Sequence, residues 1–422
     1  MTDIQKSAPY DIGPSSSVLQ GAAFPDKPIS ARTSRQQFRP DIEGMRAIAV
    51  GLVILFHAYH QPFTGGFVGV DVFFVISGFL ITSLLLKEQD RTDRISISGF
   101  YARRVRRILP ASTLVVLITL FATYGWLGFI SGNNVANDAK WTEIFAANIH
   151  FGIVGTDYFG AQLPPSPLQH MWSLGVEEQF YLVWPGLFLL LVVLARGVQH
   201  RKALAAALVF IIAASLMWSV IQTSVNQTWA YFSPLTRAWE LALGALVAVL
   251  APTIARLRWG WTPQALAFAG LAGIGIAAVL FTGNTRYPGF AVALPVVGSA
   301  ALIAAGCANQ RTMAARVLSA RPMQWAGARS YSMYLWHWPL LIIPARYATK
   351  ELSAFQITGW VLLTVVASAV TYRLVENPVR RARLLVSRTG LTLLMGALLV
   401  AITIFLAQSQ IASHYGSWNL FA

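Results

Sequence analysis

Residues 38–82 read FRPDIEGMRAIAVGLVILFHAYHQPFTGGFVGVDVFFVISGFLIT. Two apolar runs flank the turn Thr64-Gly65-Gly66, the pattern of two membrane helices joined by a short external connection. Ionisable groups stand where hydrocarbon would exclude them: Arg46 and His57 on the first run, Asp71 at the start of the second. A charge at membrane depth is costly, so such a group marks a functional site by default. Eleven residues at about 100° each return to within roughly 20° of the starting direction. Arg46 and His57 therefore share one helix face, separated by about 16 Å of helical rise. A cation at the helix mouth with an imidazole three turns deeper suggests a reaction channel entered from the arginine side.

The rest of the chain extends this pattern. Of 422 residues, 55% are hydrophobic and only 12% charged, about half the charge of an ordinary soluble protein. Apolar runs recur at about the 20-residue length that crosses a bilayer. They place eleven spans at roughly 44–60, 68–87, 108–129, 176–195, 203–222, 234–251, 263–282, 289–306, 331–347, 354–373 and 391–410. The expected fold class is an all-α polytopic integral membrane protein; the alternating ten-residue segments of a membrane β-barrel do not appear.

The net charge of +15 raises the question of nucleic acid, but its distribution points to membrane lipids instead. With the N-terminus cytoplasmic, all of the 32 Lys and Arg except Lys140, Arg237, Arg286, Arg346 and Lys350 fall on the cytoplasmic side or in the tail. That asymmetry orients a multi-pass protein of the cytoplasmic (inner) membrane with its C-terminus extracytoplasmic; the basic surplus also suits anionic headgroups. No nucleic-acid partner is expected. Cys307 is the single cysteine, so no intrachain disulfide forms. Residues 1–37 are polar, lack an apolar signal core and are expected to form a disordered cytoplasmic tail.

After the second span comes YARRVRRILP, with Arg103, Arg104, Arg106 and Arg107 before Pro110. These arginines read either as a positive-inside anchor or as a clamp for a polyanion such as a nucleotide pyrophosphate, since guanidinium forks match phosphate oxygens. Arg104 and Arg107 share a face at i, i+3, and Arg103 and Arg107 at i, i+4. Residues 130–175 form the longest external segment and end in LQHMWSLGVEEQFYLVWP, which places His170, Trp172, Glu177 and Glu178 at the outer mouth of the fourth span. In the sixth span Arg237 and Glu240, at i, i+3, suit a structural salt bridge. His337 lies between two tryptophans before Pro339 and reads as a histidine bonded to a neighbouring helix. Glu376, in VENPVRRAR, reads as an anchor paired with nearby arginines. Ser77 lacks nucleophile-elbow flanks and reads as helix packing. His57 and His60, at i, i+3, lack an acidic partner at metalloprotease spacing, so no metal is expected. No phosphate-binding G-x-x-x-x-G-K-[ST] loop appears.

Several segments together resemble the membrane-bound acyltransferase 3 family, whose members O-acylate bacterial surface glycans, glycolipids and some secreted metabolites. They are RPDIEGMRAIAV with Arg46 and His57 as R-x10-H, GGFVGVDVFFVISGFLIT, FYARRVRRILP, HMWSLGVEEQFYLVWP, RAWELALGALVA, YSMYLWHWPL and VENPVRR, in one order from about residue 38 to 383. The resemblance implies a ten-helix acyltransferase core at 38–383. That core takes an acyl group, usually acetyl, from cytoplasmic acyl-CoA to an acceptor hydroxyl on a glycan or glycolipid at or beyond the outer face. It assigns the R-x10-H pair to Arg46 and His57. It maps the family's arginine pair to Arg104 and Arg107, although Arg103 and Arg106 have the same spacing. Residues 384–422 add an eleventh helix and a short extracytoplasmic tail.

Sequences with this pattern often continue into an extracytoplasmic SGNH-type domain. Here no GDSH-like or D-x-x-H motif follows, so the chain acts alone, hands its acyl group to a separate SGNH-type partner, or is a fragment. The expected chemistry places CoA phosphates on Arg46, Arg104 and Arg107, with the thioester near His57, whose imidazole accepts the hydroxyl proton. Alternatively His57 is itself acylated. A carboxylate should orient the other imidazole nitrogen: Glu177 first, as orienting or acceptor-binding residue, and Asp71 second. The rival class is a transporter of protons or an anionic solute, which would favour inverted repeats with broken helices; none is evident.

Overall fold

The computed structural model describes residues 38–59, 61–156, 164–195, 200–257 and 260–415. The expected tail at 1–37, the end of the chain at 416–422 and His60 lie outside the described residues. From Arg39 onward the chain forms one compact unit, and every regular element described in it is helical.

Eleven long helices match the eleven expected spans. They are α1 (Pro40–Tyr59), α2 (Gly69–Thr92), α3 (Ile97–Glu143), α4 (Trp172–Leu194), α5 (His200–Val225), α6 (Pro234–Arg256), α7 (Thr262–Leu280), α8 (Ala293–Ala308), α9 (Arg321–Tyr347), α10 (Ala354–Thr371) and α11 (Thr389–Tyr415). Among the described residues, nine helical segments are long and apolar enough to cross a membrane. The two outside that set are α8, with 16 residues, and α9, which carries polar side chains in its middle. Those side chains are not exposed to lipid: Ser330, Ser332 and His337 are each 0% exposed. Helix α9 packs against α1, α3 and α10 and forms the polar spine of the bundle. This is an all-α polytopic membrane protein.

Local chemistry sets the helix ends. Proline occupies the first position of α1 and of α6, where its missing N–H costs no hydrogen bond. Helix α10 starts with a reciprocal Ser353–Gln356 capping box. Helix α3 spans 47 residues but bends at Gly128, whose φ of 79° and ψ of 176° are not helical. Glycine reaches that conformation without a Cβ penalty, so the span expected at 108–129 ends there and a second arm runs on to Glu143. Helices α2 and α6 touch backbone to backbone. A Cβ on Gly78 would lie 1.8 Å from the Leu241 carbonyl oxygen, and one on Gly244 would lie 1.9 Å from that of Val75. Small residues at such crossings allow the close van der Waals approach that drives helix association in lipid.

Hydrogen bonds fix the relative levels of the helices around the site. Ser77 of α2 reaches Glu177 of α4, and Trp184 of α4 donates to Thr82 of α2, so the two helices run in the same direction. Arg104 of α3 reaches Glu178, and Tyr101 donates to the Leu182 carbonyl, so α3 runs opposite to α4. Ser77 stands about 12 Å along α2 at about 1.5 Å per residue. Glu177 and Glu178 therefore lie inside the bundle, about a third of the way along α2, which corrects the expectation that they occupy the outer mouth of α4. The cause is the irregular segment 164–171. Leu168, Gln169, His170 and Met171 are all buried, so this segment enters the bundle and α4 begins inside it. Non-helical backbone is tolerated at such depth only where protein partners satisfy it. Here Trp338 donates to the Ser166 carbonyl, Tyr334 donates to the His170 carbonyl, and His170 Nε2 donates to the Leu335 carbonyl. Trp172 and Trp184 are likewise buried core residues.

Candidate active site

A cavity runs between α1, α2, α3, α4 and α9, enclosing about 790 Å³ of atom-free space including its open part. Three of its lining residues are Arg46, Arg104 and Arg107. The other two arginines of the cluster face elsewhere. Arg103 pairs with Glu88 at 2.9 Å, and Arg106 donates to the Leu385 carbonyl at 3.0 Å. Arg104 and Arg107, one turn apart, share the cavity face, while Glu88 and the Leu385 carbonyl hold Arg103 and Arg106 on other faces of the helix.

The guanidinium groups differ in how they are compensated. Arg46 pairs with Glu43 at 3.2 Å, and Arg104 pairs with Glu178 at 2.6 Å while standing over the Tyr181 ring at 3.7 Å. Arg107 has no carboxylate within ion-pair distance among the described residues. Glu177, 3.8 Å from Arg104, accepts hydrogen bonds from Ser77 at 2.7 Å and Tyr181 at 2.5 Å. Two buried polar atoms on the lining residues have no hydrogen-bond partner, Arg104 Nε and Ser330 Oγ. Unpaired buried polar atoms are costly, and both belong to residues that line the cavity.

Sequence reasoning missed part of this wall. Ser77, expected to be packing, lines the cavity and holds Glu177. Ser173, Glu177 and Tyr181 line it at i, i+4 and i+8 along α4, a helical-face signal present in SLGVEEQFY. Ser330, Tyr331 and Tyr334 line it from α9. Glu376 accepts from Ser332 at 2.7 Å and is buried, so it is a core residue rather than a surface anchor.

His57 stands outside this lining, and the link to it passes through α9. Tyr334 lines the cavity; its carbonyl oxygen lies 2.6 Å from His337 Nδ1, and His337 Nε2 lies 3.1 Å from His57 Nδ1. The two imidazoles stack with centroids 5.2 Å apart, and the Trp338 ring meets His57 at 4.5 Å. A histidine, not a carboxylate, thus contacts His57 Nδ1. Asp71, expected as a second orienting residue, is engaged elsewhere: Arg237 donates to it at 2.8 Å, and Tyr287 donates to its other oxygen. Arg237 also pairs with Glu240 at 3.1 Å, as its spacing suggested, and stands over the Trp172, Tyr231 and Tyr287 rings. Of the expected site residues, the structure brings Arg46, Arg104, Arg107 and Glu177 to one cavity. It leaves Arg103, Arg106 and Asp71 away from it.

Residues 39–376 match the family described as an acyltransferase domain. The chain belongs to the acyltransferase 3 family. It is similar to the peptidoglycan O-acetyltransferase OatA of Listeria monocytogenes, with 30% identity over 83% of this chain and 57% of that protein. It is also similar to the O-acetyltransferase OatA of Staphylococcus aureus, with 31% identity over 82% of this chain and 58% of that protein. The chain thus spans less than three-fifths of the length of these relatives. No solved structure matches. The matched family region contains all three arginines of the cavity together with His57 and His337.

Proposed function

We propose that this acyltransferase 3 family member is a membrane O-acetyltransferase. It takes an acyl group, most simply acetyl, from acyl-CoA on the cytoplasmic side and delivers it to a hydroxyl of a cell-envelope glycan, with peptidoglycan the acceptor class suggested by the names of its relatives. The observation that carries this reading is the convergence of Arg46, Arg104 and Arg107 on one cavity, with Arg107 lacking a carboxylate partner among the described residues. Three guanidiniums beside one lining carboxylate, Glu177, suit the phosphates of CoA. The unpartnered Arg104 Nε and Ser330 Oγ offer further polar contacts to the same guest.

In this reading residues 38–383 are the acyltransferase core and 384–422 an appended helix and tail. The N-terminus is cytoplasmic, as the basic residues favour. The phosphates bind the arginines and the pantetheine arm runs along the face that Arg46 shares with His57. His57 accepts the proton of the acceptor hydroxyl as its oxygen attacks the thioester carbonyl. The new O–acyl bond forms, the C–S bond breaks, and the CoA thiolate recovers the proton from His57. General base catalysis of this kind contributes roughly 10²–10⁴ in rate. The acceptor hydroxyl belongs either to the glycan itself or to a separate SGNH-type protein that passes the group on. Labelled acetyl-CoA supplied to membranes bearing the native chain should transfer its acetyl group, and His57→Ala should lose that transfer. Native transfer rates in His57→Ala would falsify the assignment of the base.

A further inference from the structure

We infer that His337 is a positioning residue that sets the tautomer of His57 and thereby decides which nitrogen of His57 is basic. The inference rests on the proposed role of His57 as base. Its starting point is a backbone carbonyl, the Tyr334 oxygen, 2.6 Å from His337 Nδ1. A carbonyl only accepts, so Nδ1 of His337 carries the proton and, in the neutral ring, Nε2 carries a lone pair. That Nε2 stands 3.1 Å from His57 Nδ1. Two lone pairs cannot face each other at hydrogen-bond distance, so His57 Nδ1 is the donor. Neutral His57 then has its lone pair on Nε2, which is the basic nitrogen of the ring.

The usual device for this task is a carboxylate. Here the two carboxylates proposed from the sequence are committed elsewhere, Asp71 to Arg237 and Tyr287, and Glu177 to Ser77 and Tyr181. The other neighbours of His337 preserve its tautomer. It is 0% exposed, and the third histidine, His170, stands 5.5 Å away at 85° and spends its Nε2–H on the Leu335 carbonyl. His337 Nε2 is spent on His57 Nδ1 and its Nδ1 on the Tyr334 carbonyl, so both ring nitrogens are engaged and it acts through His57. When His57 takes the acceptor proton on Nε2, its Nδ1–H remains bonded to His337, and the ring keeps its orientation until the thiolate recovers the proton. Were Nε2 of His337 protonated, the relationship would invert and His57 Nε2 would no longer be basic.

The test compares His337→Gln with His337→Asn in acetyl transfer from acetyl-CoA, beside native protein and His57→Ala. Gln carries its amide oxygen about as far as imidazole Nε2 and can accept from His57 Nδ1–H; Asn is one methylene too short. The expected result is a kcat within about tenfold of native for Gln and roughly 100-fold lower or worse for Asn. The KM for acetyl-CoA should stay within about twofold in both, because His337 acts through His57. Native kcat in the Asn variant overturns the inference, as does equal loss in Gln and Asn, or a loss confined to KM. CoA-dependent thermal stabilisation reports whether each variant is folded. Should the Asn variant not fold, the Gln variant decides: a 100-fold loss of kcat overturns the inference and near-native kcat supports it. Absence of transfer by the native protein instead removes the proposed function, and native rates in His57→Ala remove the base; both outcomes take this inference with them.

Discussion

Arg104 and Glu178 meet at 2.6 Å, joining α3 to α4 beside the cavity that Arg104 lines. The same guanidinium also stands over the Tyr181 ring. Arg104 therefore serves both the fold and the proposed donor site, whereas Arg107, one turn further along α3, has no ion-pair partner among the described residues. Hydrogen bonds to charged groups contribute about 1.5–3 kcal/mol. Arg107→Ala should accordingly raise the KM for acetyl-CoA roughly tenfold or more with little change in thermal stability. Arg104→Ala should raise KM and also lower stability, because it strands Glu178. Arg103→Ala, whose side chain pairs with Glu88 away from the cavity, should leave KM within about twofold. Steady-state kinetics in purified membranes, paired with thermal unfolding, separates the three.

The buried pair Arg237–Asp71 is expected to be structural. Arg237 is 1% exposed and Asp71 1% exposed, with Glu240 sharing the same guanidinium. Removing one partner of such a group leaves an uncompensated buried charge, costing about 3–5 kcal/mol. Arg237→Met should therefore lower the detergent unfolding temperature sharply. Adding Asp71→Asn should recover part of the loss, since it removes one of the stranded carboxylates. A fully native unfolding temperature in Arg237→Met would show that the cluster contributes nothing to the fold.

The α2–α6 crossing gives a steric prediction. Gly78→Val would place Cβ 1.8 Å from the Leu241 carbonyl oxygen, a contact with backbone that no side-chain rotation relieves. Overpacking of this kind costs about 1–3 kcal/mol, so the variant should accumulate poorly and unfold earlier. Gly359→Ala, where a Cβ meets nothing within 4 Å, is the control and should be neutral or slightly stabilising. Parallel expression and unfolding measurements check both.

The spans were legible because a bilayer imposes a length on apolar runs, and each expected run is a helix here. The common face of Arg104 and Arg107 was legible for the same kind of reason, a fixed helical period. Two features were not. The depth of Glu177 depends on segment 164–171 entering the bundle, and its backbone is satisfied by Trp338 and Tyr334, more than 160 positions away. Local sequence around PPSP carries no sign of those partners. His337 likewise meets His57 across 280 positions. A lone histidine between tryptophans has the sequence appearance of any satisfied core residue, and only the Tyr334 carbonyl beside it reveals a direction to its proton.

Ser330 offers a prediction in which stability and binding move in opposite directions. Its hydroxyl is buried at 0% exposure, lines the cavity and lacks a hydrogen-bond partner. An unsatisfied buried hydroxyl costs about 1–3 kcal/mol, so Ser330→Ala should raise the unfolding temperature of the ligand-free protein. If the cavity holds CoA as proposed, the same hydroxyl gains a partner on binding, and its removal should weaken CoA several-fold. Ligand stabilisation grows with the logarithm of ligand concentration over Kd. The CoA-induced rise in unfolding temperature should therefore be smaller in Ser330→Ala than in the native chain at equal CoA. An undiminished rise would place the bound CoA away from Ser330, and with it away from this wall of the cavity.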